Sequence, residues 1–206
     1  MRGFVRVIAV TVSAFFLPIS CTTTKITHTW ADKSYRSLPF SHILVIGVAE
    51  KDETRRSFEE KFVTKLEATG VKGVESLDVM PADEKIDKET ILAVVKKTGV
   101  DGVLLTYLVA VKEKEVASPS VTYSPADDYH GGSIPDLSSA YDYRSDTQYY
   151  TTRVKVRLET NLYDAKTEQK VWSARSRTLN PKSDTALMDS VIDALVKDLK
   201  KNKLLP

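Results

Sequence analysis

Asp101-Gly102-Val103-Leu104-Leu105-Thr106-Tyr107-Leu108-Val109-Ala110-Val111 is the most apolar stretch of the chain after its N-terminus. A run of this length behind an Asp-Gly turn signal predicts a strand covered on both faces. Working back from it, Asp87 can cap a helix that carries Ile91, Leu92, Val94 and Val95, with Gly99 just past its end. Before that helix, Val71 to Val79 is a weaker strand candidate stopped by Pro81. Asp52 can cap an earlier helix that ends at Gly70, with Phe58, Phe62, Val63 and Leu66 as its apolar stripe. His42 to Val48 (HILVIGV) is a second near-continuous apolar run. The succession β-α-β-α-β implies right-handed crossovers and a parallel sheet.

The chain behaves differently on the other side of Val111. Lys112 to Glu115 alternates in charge, as if the strand runs past the core. Residues 116–148 hold Pro119, Pro125, Pro135 and Gly131-Gly132, and six of the nine tyrosines fall between Tyr123 and Tyr150. This segment reads as a long Tyr/Asp-rich loop. Thr151 to Leu162 alternates, with Val154, Val156, Leu158 and Leu162 inward and Arg153, Lys155, Arg157 and Glu159 outward. That is the pattern of a half-buried antiparallel strand. Asp164 to Thr167 turns the chain, and Lys170 to Thr178 returns as its hairpin partner. A last helix starts near Pro181 and Ser183, with Leu187, Val191, Ile192, Leu195, Val196 and Leu199 as its stripe. The expected fold is a single α/β domain over 41–206. It has a mixed sheet of about five strands and helices mainly on one face.

The N-terminus carries a separate message. Arg2 and Arg6 precede the uncharged Val7–Leu17 run, and Leu17-Pro18-Ile19-Ser20 leads into Cys21, the chain's one cysteine. A basic, apolar and small-residue succession of this length is an export signal. It is shorter than the roughly 20 apolar residues that span a bilayer. The segment resembles a bacterial lipoprotein signal over residues 1–20, which implies lipid attachment at Cys21 through diacylation and palmitate. Residues 21–40 would then be a lipidated tether. Thr22 after the cysteine, by resemblance to Gram-negative sorting, implies the outer membrane, with the domain facing the periplasm. Removing residues 1–20 takes away Arg2 and Arg6 and no acid, leaving 28 cations against 28 acids. Global charge gives no argument for nucleic acid. With Cys21 carrying lipid, no disulfide forms within the chain, and the fold stands on packing.

Val100-Asp101-Gly102-Val103-Leu104-Leu105, the hairpin with Asp164 at its turn, Val171-Trp172-Ser173-Ala174 and the amphipathic C-terminal helix together have a familiar form. Over roughly residues 40–204 this pattern is similar to the N-terminal α/β domain of TolB and to the core of CsgG-type proteins, a group of envelope lipoproteins. The resemblance implies an assembly or interaction role at the envelope rather than catalysis. Hairpins of that group often place Gly after the turn threonine, where this chain has Glu168.

Catalytic patterns do not emerge from the sequence. Gly47-Val48-Ala49-Glu50 lacks the glycines of a phosphate loop, and no G-x-S-x-G elbow occurs. His28, His42 and His130 are too scattered for a zinc helix, so neither metal nor cofactor is expected. Two groups of cations are candidate partner sites. Arg55 and Arg56 fall in the first turn of the first helix, where cations oppose the helix dipole. Their bland alternative is Arg55–Glu59 and Arg56–Glu60 pairing on a solvated face. In the hairpin, placing Trp172 and Ala174 on the core face with Val156 and Leu158 puts Arg175 and Arg177 on the face of Arg153, Lys155 and Arg157. That stripe would meet an acidic partner, a lipid headgroup or a polymer. Its alternative is a solvated face neutralised by loop acids such as Asp127, Asp128, Asp136, Asp142 and Asp146. Three functions remain open: a non-enzymatic lipoprotein module anchored in the membrane, an envelope glycan-modifying or hydrolytic enzyme using carboxylates of 116–148, and a structural spacer.

Overall fold

The computed structural model describes residues 22–35, 39–80, 86–119 and 148–206. Cys21, the expected attachment site, and residues 120–147 of the Tyr/Asp-rich segment, with their carboxylates, lie outside those residues. Six strands form one mixed sheet: β1 (Thr24–Ala31), β2 (His42–Val48), β3 (Lys72–Glu75), β4 (Gly102–Pro119), β5 (Gln148–Asp164) and β6 (Lys170–Leu179), in the order β1-β6-β5-β4-β2-β3. β3, β2 and β4 are parallel; β4, β5, β6 and β1 are antiparallel. The helices are α1 (Asp52–Glu67), α2 (Ser76–Val79), α3 (Lys88–Thr98) and α4 (Asp184–Lys201). No helix among the described residues is long and apolar enough to cross a membrane.

The topology explains where the helices sit. The first crossover steps from β2 out to β3, and the second steps back over β2 to β4. Crossovers of one hand that step in opposite directions must lay their helices on opposite faces. Phe58, Phe62 and Leu66 of α1 accordingly pack on Ile43 and Val45, while Val94 of α3 packs on Leu44 and Ile46. The two longest helices, α1 and α4, share the first face and its larger core. α3 and the short α2 cover the second face around β3, β2, the start of β4 and Tyr163 at the end of β5.

Several elements differ from the sequence reading. Residues 24–31 are not tether but strand. β1 pairs antiparallel with β6 and brings the sheet to six strands rather than about five. Its inward positions are held more by hydroxyl groups than by apolar area. Thr24 Oγ1 lies 2.6 Å from Thr178 Oγ1, and Ser190 donates to it. The weak strand at 71–79 divides into β3 and α2. Both ends of the loop expected over 116–148 are strand instead: β4 continues to Pro119 and β5 begins at Gln148. Those ends pair with each other past the limit of β2. The N-cap of α1 is Lys51, and Asp52 lies inside its first turn. Asp87 and Ser183 cap α3 and α4 as their sequences predict.

Trp172 is fully buried beside Leu162, its direct partner on β5. Its indole Nε1 donates to Asp198 Oδ2 at 3.0 Å, and Thr29 of β1 and Asn202 past α4 donate to the same oxygen. One carboxylate thus ties β6, β1 and the end of α4 together. Charge-assisted bonds of this kind are roughly twice as strong as neutral ones. At the β5–β6 turn, Asp164 Oδ1 accepts from Lys166 N, Thr167 N and Thr167 Oγ1, and Tyr35 donates to Oδ2. Burial pushes the Asp164 carboxyl up, but these hydrogen bonds outweigh it and hold the group below its ordinary value. Glu168 then takes a left-handed conformation (φ 59°), the role a glycine fills without strain.

Two stability outcomes follow from this packing. Trp172→Ala should cost about 3–5 kcal/mol, measured by urea unfolding in a Trp30→Phe background. In that background the wild-type indole should emit at short wavelength and resist quenching. Glu168→Gly should leave stability unchanged or raise it by up to about 1 kcal/mol, because relief of left-handed strain outweighs an exposed ion pair with Lys88. A clear loss in thermal unfolding would contradict that turn geometry.

Candidate functional site

Side-chain parity along the hairpin builds the site. With Trp172, Ala174, Ser176 and Thr178 turned to the helix-covered face, Ser173, Arg175 and Arg177 must point to the other. Their β5 partners follow the same rule: Glu159 stands opposite Arg175, and Arg157 opposite Arg177. Among the described residues, no helix packs on this second face of β6 and β1, nor on β5 beyond Tyr163. The expected stripe of Arg153, Lys155, Arg157, Arg175 and Arg177 therefore lies together on this one face.

The rows run across the sheet and reach further than the hairpin. Lys114 of β4 stands opposite Arg153, and Lys112 opposite Lys155. Arg157 faces Arg177, which in turn faces Lys25 of β1. Three successive rows thus set like charges directly against each other, an arrangement that destabilises a sheet. None of Lys25, Lys112, Lys114, Arg153, Lys155 and Arg157 has an ion-pair partner among the described residues, and neither has Arg177. Lys25, Lys112 and Lys114 were missed by the sequence reading. Lys25 sat in a segment read as tether. The alternation of Lys112 and Lys114 was visible, but not which face it would join.

The next row is different. Tyr107, Glu159, Arg175 and His28 follow one another across β4, β5, β6 and β1. Glu159 Oε1 accepts from the Tyr107 hydroxyl at 2.7 Å and Oε2 from Arg175 Nε at 2.7 Å. These two hydrogen bonds hold the Glu159 carboxyl below its usual range, and the same Tyr107 contact pushes the phenol up. Glu159 is the one acid in these rows among the described residues, and Arg175 already occupies it. Arg175 is thus the least available of the five expected cations. Beside this row, His28, Trp30, Glu159, Lys170, Ser173 and Arg175 line an open depression of about 470 Å³. Trp30 is 44% exposed there, with the Lys170 ammonium 5.8 Å from its ring centroid.

The other candidate pair divides. Arg55 is buried, donates to Glu59 Oε1 at 3.0 Å and also bonds Ser76. Its partner is the fully buried Glu59, which further accepts from Gly47 N, Ser76 Oγ and Leu77 N. This network ties α1 to β2 and α2, and it removes Arg55 from the surface. A buried cation is stable only with such pairing, so the Arg55–Glu59 contact is a core ion pair and not one on a solvated face. Arg56 is exposed and reaches Asp78 at 3.3 Å rather than Glu60. It belongs to α1, on the face opposite the cationic rows. Among the described residues, no group of His, Cys, Asp and Glu is placed to hold a metal ion.

No protein-family model matches the chain, and no curated protein matches it. Among solved structures it is similar to PelC from Paraburkholderia phytofirmans, crystallised as a dodecamer, and to a leucine-to-methionine variant of it. The variant gives a TM-score of 0.45 at 12% identity over 84% of this chain and 95% of that one. The parent gives 0.44 at 14%, over 84% and 94%. The lipoprotein GNA1162 from Neisseria meningitidis gives 0.43 at 13%, over 78% of this chain and 99% of that one.

Acid should loosen this site in a defined direction. A depressed carboxylate stabilises the fold above its unfolded value, about 4.3 for Glu. That contribution is lost as pH falls through the lower folded value. Thermal stability should therefore decline below about pH 4, and Glu159→Gln should flatten part of that decline. An acid limb identical in wild type and Glu159→Gln would contradict the Tyr107–Glu159–Arg175 arrangement.

Proposed function

We propose that this chain is a lipid-anchored protein of the bacterial outer membrane that has no catalytic activity. It serves as an interaction module, meeting an anionic envelope component through the open face of β4, β5, β6 and β1. The observation that carries the reading is the set of rows in which Lys114 meets Arg153, Lys112 meets Lys155, and Arg157 meets Arg177 and Lys25. A face that needed only to stay soluble would intersperse both signs. Here cations oppose cations at a cost in stability that an anionic partner would reverse. The export segment ending at Cys21, the small Ser20 before it and Thr22 after it support anchorage and outer-membrane sorting. The sequence pattern of residues 40–204, which resembles TolB-type and CsgG-type domains, supports a role in envelope assembly.

The anchorage is tested in cells. Palmitate labelling should mark the wild-type chain and not Cys21→Ala. The wild-type mature N-terminus should be Cys21, in the outer-membrane fraction. A mature chain beginning at any other residue, or sedimenting with the inner membrane, would remove the anchored reading.

A further inference from the structure

Seen from the anchor, the cationic face has a definite orientation. β1 begins at Thr24, so Cys21 precedes the sheet by three residues. Three residues of fully extended chain reach no more than about 11 Å. β1 runs antiparallel to β6, with Thr24 opposite Thr178 and Lys25 opposite Arg177. The chain before Thr24 therefore points along the sheet toward Leu179, which stands opposite Lys155 in the row of Lys112. The anchor and the like-charge rows occupy the same end of the domain. Leu179 is 52% exposed at that end, on the face of the cations. Leu108 and Val111, about half exposed where β4 continues past β2, stand opposite Leu158 and Val156 and so belong to the other face. Rows of cations beside the exposed Leu179 match a membrane interface, where headgroups take the charge and the acyl boundary takes the apolar group.

We propose that the open face of β1, β6, β5 and β4 lies against the membrane that holds the anchor, with anionic lipid headgroups as its partner. The inference rests on the anchored reading for its geometry, and the charge rows give it chemistry of its own. A link of about 11 Å leaves no room for the domain to swing free of the leaflet, and its length is close to the screening length of physiological salt, about 8 Å. Lys25, one residue inside β1, brings the row of Arg177 and Arg157 within reach of the link. Lys112, Lys155, Lys114 and Arg153 extend the contact along β4 and β5. A soluble polyanion would need the same charges but gives no reason for their place beside the anchor.

The test uses the mature chain from residue 21 with Cys21→Ser, so that no acyl group contributes. The sheet and both hydrophobic cores are built from residues after 21. Sedimentation with vesicles of phosphatidylcholine containing about 30 mol% phosphatidylglycerol should show binding that weakens as salt rises, and pure phosphatidylcholine should show little. Arg157→Gln with Arg177→Gln should lower partitioning about tenfold to thirtyfold, from the usual contribution of two basic residues near an anionic surface. Arg56→Gln, on the far face, should leave it unchanged. The double variant should melt no lower than wild type, since it removes facing like charges. Lys112→Gln with Lys114→Gln, on the part of β4 beyond β2, gives the same test without touching the hairpin rows. Absence of binding to anionic vesicles, binding indifferent to both variant pairs, or capture by inorganic polyphosphate in place of vesicles would each overturn the proposal. Palmitate labelling in cells fails or succeeds independently of this outcome, so loss of the anchored reading is distinguishable from loss of the membrane-facing sheet.

Discussion

The burial of Trp172 is the constraint on which the rest of the molecule depends. Its indole is the largest fully buried side chain, and Asp198 satisfies its one donor. Strand parity does the remainder. With Trp172 inside, every second residue of β6 is committed to the core, and Arg175 and Arg177 are committed to the opposite face. A one-residue slip would place Arg175 and Arg177 under α4 and Trp172 in water, at a cost of several kcal/mol for the indole alone. The cationic face is therefore not a chance of surface composition. The same register that completes the core creates it.

A second buried carboxylate does the corresponding work at the parallel end. Glu59 is fully buried and accepts from Gly47 N, Arg55 Nε, Ser76 Oγ and Leu77 N. It fixes the start of α1 over the end of β2 and holds α2 in place. Breaking one partner would leave a buried charge uncompensated, which is far more costly than the pair is worth. The helices α1 and α4 are then joined at the surface by Lys61–Asp189 and Lys65–Asp193. These exposed pairs add little to stability, so the layer rests on its apolar stripe. Among the described residues, charges on the helix side are thus paired across elements, whereas on the open sheet face only Arg175 is, with Glu159. That asymmetry distinguishes the two surfaces.

Much of this fold was legible in the residues. HILVIGV at 42–48 and VLLTYLVAV at 103–111 gave the buried strands because an apolar run needs cover on both faces. Asp87, Ser183 and Gly99 announced helix ends through side-chain chemistry that acts locally. The cation stripe followed from alternation alone. β1 was illegible because its inward positions include Thr24 and Thr29, which are held by hydroxyl bonding to Thr178, Ser190 and Asp198 rather than by apolar area. Such partners lie more than 150 residues away in sequence. Arg55 misled for a related reason: a cation at a helix start reads as exposed, and only its distant contact with Ser76 shows it turned inward. Missing β1 also hid Lys25 and the shortness of the link to Cys21, on which the proposed orientation of the charged face rests.

The central claim is that this face lies on anionic lipid, and single labels read it directly. In the Cys21→Ser chain, a fluorophore placed by Lys114→Cys reports the open face, and one placed by Lys65→Cys on α1 reports the helix side. On adding phosphatidylglycerol vesicles, the label at 114 should become shielded from an aqueous quencher while the label at 65 stays accessible. Equal accessibility at both positions, or shielding of the label at 65 alone, would contradict the account.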